Sequence, residues 1–60
     1  MKTVDVLLEE LSLSIDQLAE KSALPAVRVL AMVDGRWLAS PAERGVIAAA
    51  LGVPTEQISW

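Results

Sequence analysis

The chain contains neither cysteine nor histidine, and those two absences remove several functions at once. Disulfides and thiolate chemistry are excluded, and so are the usual zinc sites. Positive charge is scarce: five Lys and Arg stand against eight Asp and Glu, a net charge of −3 with a pI near 4.6. That balance disfavours non-specific attraction to nucleic acid or to anionic lipid. No apolar run approaches the roughly 20 residues that span a bilayer. The first residues include Lys2 but also Asp5, Glu9 and Glu10, which does not fit a signal peptide. No Gly-rich phosphate loop, low-complexity segment or internal repeat is present. These absences lead us to expect a soluble, cytoplasmic protein with no membrane partner, no cofactor and no metal.

What the chain does have is apolar surface, since 53% of its residues are hydrophobic. Sixty residues make a single domain, 1–60, with one core to stabilise it. Two stretches place helix starts. Ser14-Ile15-Asp16-Gln17 and Ser40-Pro41-Ala42-Glu43 each read as a capping box. In such a box the Ser accepts from the backbone N–H three residues on, and the Gln or Glu reaches back to the cap. Leu13 and Leu18 flank the first box as a hydrophobic staple would, and Pro41 suits the first position of the second helix. Upstream, Thr3 is an N-cap candidate for a helix carrying Val4, Leu7, Leu8 and Leu11 on one stripe. Between the boxes a compact segment, Leu24 to Asp34, ends at Gly35, a natural left-handed cap.

The expected architecture is therefore all-α. It comprises helices near 4–11, 15–22, 26–33 and 41–51, then a final turn near 55–59, with a helix-turn-helix unit at about 14–35. The expected core is Leu7, Leu11, Leu18, Val29, Met32, Ile47 and Leu51. Leu18 and Ala19 are the buried side of the second helix, and Ile47, Ala50 and Leu51 that of the fourth.

From Leu13 to Val53 the chain resembles the lambda-repressor/Cro-like (XRE-type) helix-turn-helix family, which is built as a small four- to five-helix bundle. The matching residues are Leu13-Ser14, Leu18-Ala19, Leu24, Val29, Met32, Asp34-Gly35, Ile47-Ala48 and Ala50-Leu51-Gly52-Val53. All are core or capping positions, so they speak to fold more than to function. The resemblance implies base-reading positions at the start of the second helix and on the exposed start of the third. Family members carry polar side chains there, able to pair with base edges or phosphates. Here those positions are Ile15, Ala26 and Val27, all aliphatic, and Leu30 and Ala31 beyond them are apolar too. The turn has Ala23 where the family has Gly, and Pro25 where it has a small polar cap. A protein making six to ten phosphate contacts needs more cations on one face than Arg28 and Arg36 supply.

Two readings of the apolar positions are open: burial in an enlarged core, or an exposed patch marking a protein interface. With so many apolar residues on so short a chain they cannot all be inside, so the interface is the favoured reading. Its expected contact residues are Ile15, Val27, Leu30 and Trp37, with Arg28 and Arg36 at the rim. The partner is another protein or a second copy of the chain. The alternative is a small dimeric DNA-binding regulator contacting duplex DNA through Lys21, Ala26, Val27, Arg28 and Arg36. A third reading is a structural domain tethered to something larger, with no site of its own.

The remaining residues have structural explanations first. Trp37 can cover the open end of the core or anchor a partner, and Trp60 can pack or project. Glu9 and Glu10 point about 100° apart on a helix and cannot flank one substrate. Asp5 with Glu9, and Asp16 with Glu20, read as a solvated acidic face. Capping accounts for Ser14 and Ser40. Nothing here reads as catalytic or as a small-molecule site.

Overall fold

A computed structural model describes residues 1–60. Its order is β1 (Lys2–Thr3), α1 (Val4–Leu11), α2 (Ile15–Ser22), α3 (Ala26–Val33), α4 (Pro41–Leu51), a 3₁₀ turn (Thr55–Gln57) and β2 (Ile58–Ser59). No helix is long and apolar enough to cross a membrane.

Local chemistry sets these boundaries. Both capping boxes form in full: Gln17 N donates to Ser14 Oγ at 3.1 Å and Ser14 N to Gln17 Oε1 at 2.8 Å. The Ser40 and Glu43 pair does the same at 3.2 and 2.9 Å. Each box satisfies two groups that a helix start would otherwise leave unpaired. Thr3 occupies the N-cap of α1, but its hydroxyl bonds the Asp5 carboxylate instead of the backbone. α1 and α2 end in left-handed residues that are not glycine, Ser12 (φ 55°) and Ala23 (φ 60°). There the chain turns back, with Leu13 N donating to Leu8 O and Leu24 N to Ala19 O at 2.9 and 3.1 Å. α4 ends more comfortably at Gly52, φ 75°.

The core draws on every helix. Leu18 of α2, Val29 of α3 and Ile47 of α4 are fully buried. Around them pack Val4, Leu7 and Leu8 of α1, Ala19 of α2, and Ala48 and Leu51 of α4. α2 is the centre of the arrangement, packing against both α3 and α4. The one buried polar side chain, Ser22, donates to Leu18 O at 2.7 Å.

The all-α expectation holds in outline, and three core expectations, at Leu11, Ala50 and Met32, need correction. The fold is four helices with one short addition: β1 and β2 pair in parallel, Lys2 with Ile58 and Thr3 with Ser59. Ile58, expected only in a terminal turn, thereby joins the core at 2% exposure. Leu11 is 47% exposed although it lies on the inward side of α1 by period. As the last residue of that helix it overhangs the core and lines an open groove with Met1, Leu7 and Val53. On α4 the inward stripe is Ile47, Ala48 and Leu51, and Ala50, about 100° round from Leu51, is only half-buried. Met32 is likewise half-buried, packed on the edge of the core.

Candidate functional site

α3 is divided lengthwise by its own periodicity. At 100° per residue, Val29 points into the core with Ala26, Met32 and Val33 beside it. Val27, Leu30 and Ala31 occupy the opposite side, joined one turn on by Asp34. Val27 is 78% exposed and Leu30 43%. Thus, Arg28 aside, α3 is apolar on its inner and outer sides alike, while only the inner one has a core to face.

The chain after α3 extends this surface. Arg36 N and Trp37 N both donate to Ala31 O, at 2.8 and 3.2 Å, which folds the segment back beside the end of α3. Trp37 and Leu38 emerge there, the latter 76% exposed. Trp37 is held from two sides. The Arg28 guanidinium lies 3.9 Å from the centre of its ring, a stacked cation–π contact. Its indole N–H donates to Glu43 Oε1 at 3.2 Å. The other Glu43 oxygen receives Arg28 Nη1 at 2.7 Å. One carboxylate therefore caps α4, pairs a cation from α3 and fixes the indole between them. The Ser40 backbone N–H first, then the Trp37 indole and the Arg28 guanidinium, pull the Glu43 carboxyl down to about 2.

The sequence-expected residues separate accordingly. Val27, Leu30 and Trp37 are exposed, on α3 and the segment folded against its end. Ile15 is not part of this surface. It lies on the inward stripe of α2 with Leu18, Ala19 and Ser22, and is half-buried against the core. Ala26 is half-buried as well. Arg28 is committed to Glu43 and Trp37, and Arg36 Nη2 pairs with Asp34 at 3.1 Å. Lys21 stands exposed in the last turn of α2. Two residues escaped the sequence reading. Leu38 sits in a non-periodic loop, where nothing in the pattern says which way it points. Glu43 was legible only as a capping partner, because its other two contacts come from residues brought in by the fold.

The electrostatics of the surface follow from these pairings. Of the five cations, Lys2, Arg28 and Arg36 are in ion pairs. Arg44 donates to Ala39 O at 3.0 Å and lies 5.6 Å from the Trp60 ring. Lys21 alone is left without a partner. No three acidic side chains are grouped to hold a metal. What remains is an exposed apolar strip, uncharged along its length and closed at one end by the Asp34–Arg36 pair. No family model, curated protein or solved structure matches the chain.

Proposed function

We propose that the chain is a non-enzymatic helix-turn-helix module of the lambda-repressor-like kind, working in the cytoplasm by protein contact. α2, the connection Ala23-Leu24-Pro25 and α3 are the helix-turn-helix, and the outer side of α3 is the working surface. The observation that carries this reading is the pairing of exposed aliphatic groups on α3 with committed cations around them. Val27 and Leu30 stand exposed where a base reader needs hydrogen-bonding side chains. Arg28 and Arg36, the two cations beside them, are neutralised within the chain. Burying the strip against a protein yields roughly 25 cal/mol per Å² of apolar area. Setting it against phosphates and hydrated base edges yields little, and freeing Arg28 for a phosphate breaks the Glu43 and Trp37 contacts first.

The test is selection from a pool of random-sequence duplexes at about 0.15 M salt, near the physiological ionic strength. We expect no sequence to be enriched, and any binding at low salt to vanish as salt rises. An enriched sequence bound tightly, with binding abolished by Arg28→Ala and untouched by Leu30→Lys, would overturn protein contact in favour of DNA recognition.

A further inference from the structure

Resting on the protein-contact reading above, we infer that the occupant of the α3 surface is a second copy of the same chain, packed antiparallel, α3 against α3, about a two-fold axis between Leu30 and Ala31. Three features of α3 point to self-pairing. The first is shape. Leu30 and Ala31 adjoin on the outer side, so a two-fold axis between them sets Leu30 against Leu30 and Ala31 against Ala31 of the other copy. The small Ala31 pair beside the apolar Leu30 pair lets two helices approach at the 8–10 Å typical of packed pairs.

The second feature is charge. The strip from Val27 to Ala31 has no charged residue on its outer side, so it offers nothing for a charged partner to recognise, and an equally neutral surface satisfies it. The third is what the two ends of α3 lack. Its N-terminus has no side-chain cap and no acidic residue in the first turn. Asp34 sits instead at the C-terminal end, where the helix dipole disfavours it. Antiparallel pairing brings Asp34 of each copy, still paired with Arg36, beside the uncapped N-terminus of the other, where its charge is favourable. A two-fold interface requires one patch to complement itself in this way.

Size sets the strength. A stable interface takes about 800 Å² from each partner, a large share of the 3781 Å² this chain exposes. An eight-residue helix supplies that only with help from Trp37 and Leu38, so the pair is a weak, reversible dimer.

Sedimentation equilibrium on the full chain from micromolar to millimolar concentration reads this directly. We expect a monomer–dimer equilibrium, with Leu30→Glu raising the dissociation constant at least tenfold. Leu11→Gln, on an exposed apolar residue away from α3, leaves it unchanged. Because the chain has no cysteine, a single introduced thiol reports geometry. Ala31→Cys, beside the axis, comes within disulfide reach of its copy and cross-links under mild oxidation. Lys21→Cys cross-links far more slowly. Helical circular dichroism confirms that each variant is folded. A chain that stays monomeric throughout, a dimer indifferent to Leu30→Glu, or equal cross-linking at the two thiols overturns the inference. None of these results bears on the duplex selection, so this inference can fail while the protein-contact reading stands.

Discussion

Glu43 stands in a capping box, and the fold has given its carboxylate two further partners. Its side chain is 12% exposed and receives the Ser40 amide, the Trp37 indole and the Arg28 guanidinium. Every one of these donors favours the charged form, which holds the carboxyl near 2, below the ordinary carboxylate range. The folded-state value is depressed, so this contribution to stability is fully present above the ordinary Glu value near pH 4.5. It is lost as pH falls from there through about 2. We therefore expect the acid limb of the stability profile to be shallower in Glu43→Gln than in the native chain over that window. Asp5, lowered by its Thr3 hydroxyl bond, keeps some slope in both. Denaturant midpoints measured across acid pH check this, and identical slopes would mean that the cluster around Glu43 does not persist in solution. Arg28 follows from the same geometry. A residue at the rim of the strip, and cationic, is already engaged by a carboxylate and a ring.

Helices α2 and α3 are joined by a connection in which the backbone, not the side chains, carries the constraint. Ala23 is held at φ 60°, a left-handed conformation that costs an L-residue roughly 1–2 kcal/mol and glycine almost nothing. Ala23→Gly relieves that strain but loosens the unfolded chain by about 0.4–1 kcal/mol, leaving a net gain of roughly 0.5–1 kcal/mol. Thermal or denaturant unfolding should show the variant to be the more stable. A loss would mean that Ala23 has a packing role that its exposure does not reveal. At this scale the chain was most legible. The capping boxes at Ser14 and Ser40 located α2 and α4 because capping depends on residues within one turn of each other. α1 and α3 followed from apolar period and from stop signals. The strands were not legible, since two residues apiece carry no alternation and their pairing depends on the ends of the chain meeting. Leu11 and Ile15 were misplaced for opposite reasons. Period put Leu11 inside, but the core stops short of it. Analogy with base-reading positions put Ile15 on the working surface, while the period of α2 places it inward with Leu18 and Ser22. Val27 and Leu30 came from the same analogy, and their exposure agrees with the period that turns Val29 and Met32 toward the other side of α3.

Over the whole molecule, the two ends of the chain close the fold. β1 precedes α1 directly and pairs with β2, the last regular element, so the first and last segments hold each other against the helices. The contact is more than a backbone ladder. Ile58 enters the core with Val4, Leu7 and Leu51, and Trp60 packs beside it, its indole donating to Thr55 O at 3.3 Å. A chain of this size has a stability of only about 3–9 kcal/mol and buries roughly 60% of the surface it exposes when unfolded. Removing one well-buried aliphatic side chain costs about 2–5 kcal/mol, so Ile58→Ala takes a large part of the total. Val27→Ala, on the exposed side of α3, should stay within about 0.5 kcal/mol, although Val27 is as apolar as Ile58. The comparison separates position from composition. Thermal melts of the two variants, read beside amide exchange at Thr3 and Ser59, decide it. We expect Ile58→Ala to melt well below the native chain with early loss of protection in the strand pair, and Val27→Ala to melt with it. Equal melting of both variants would place Ile58 outside the core and leave the two termini unjoined.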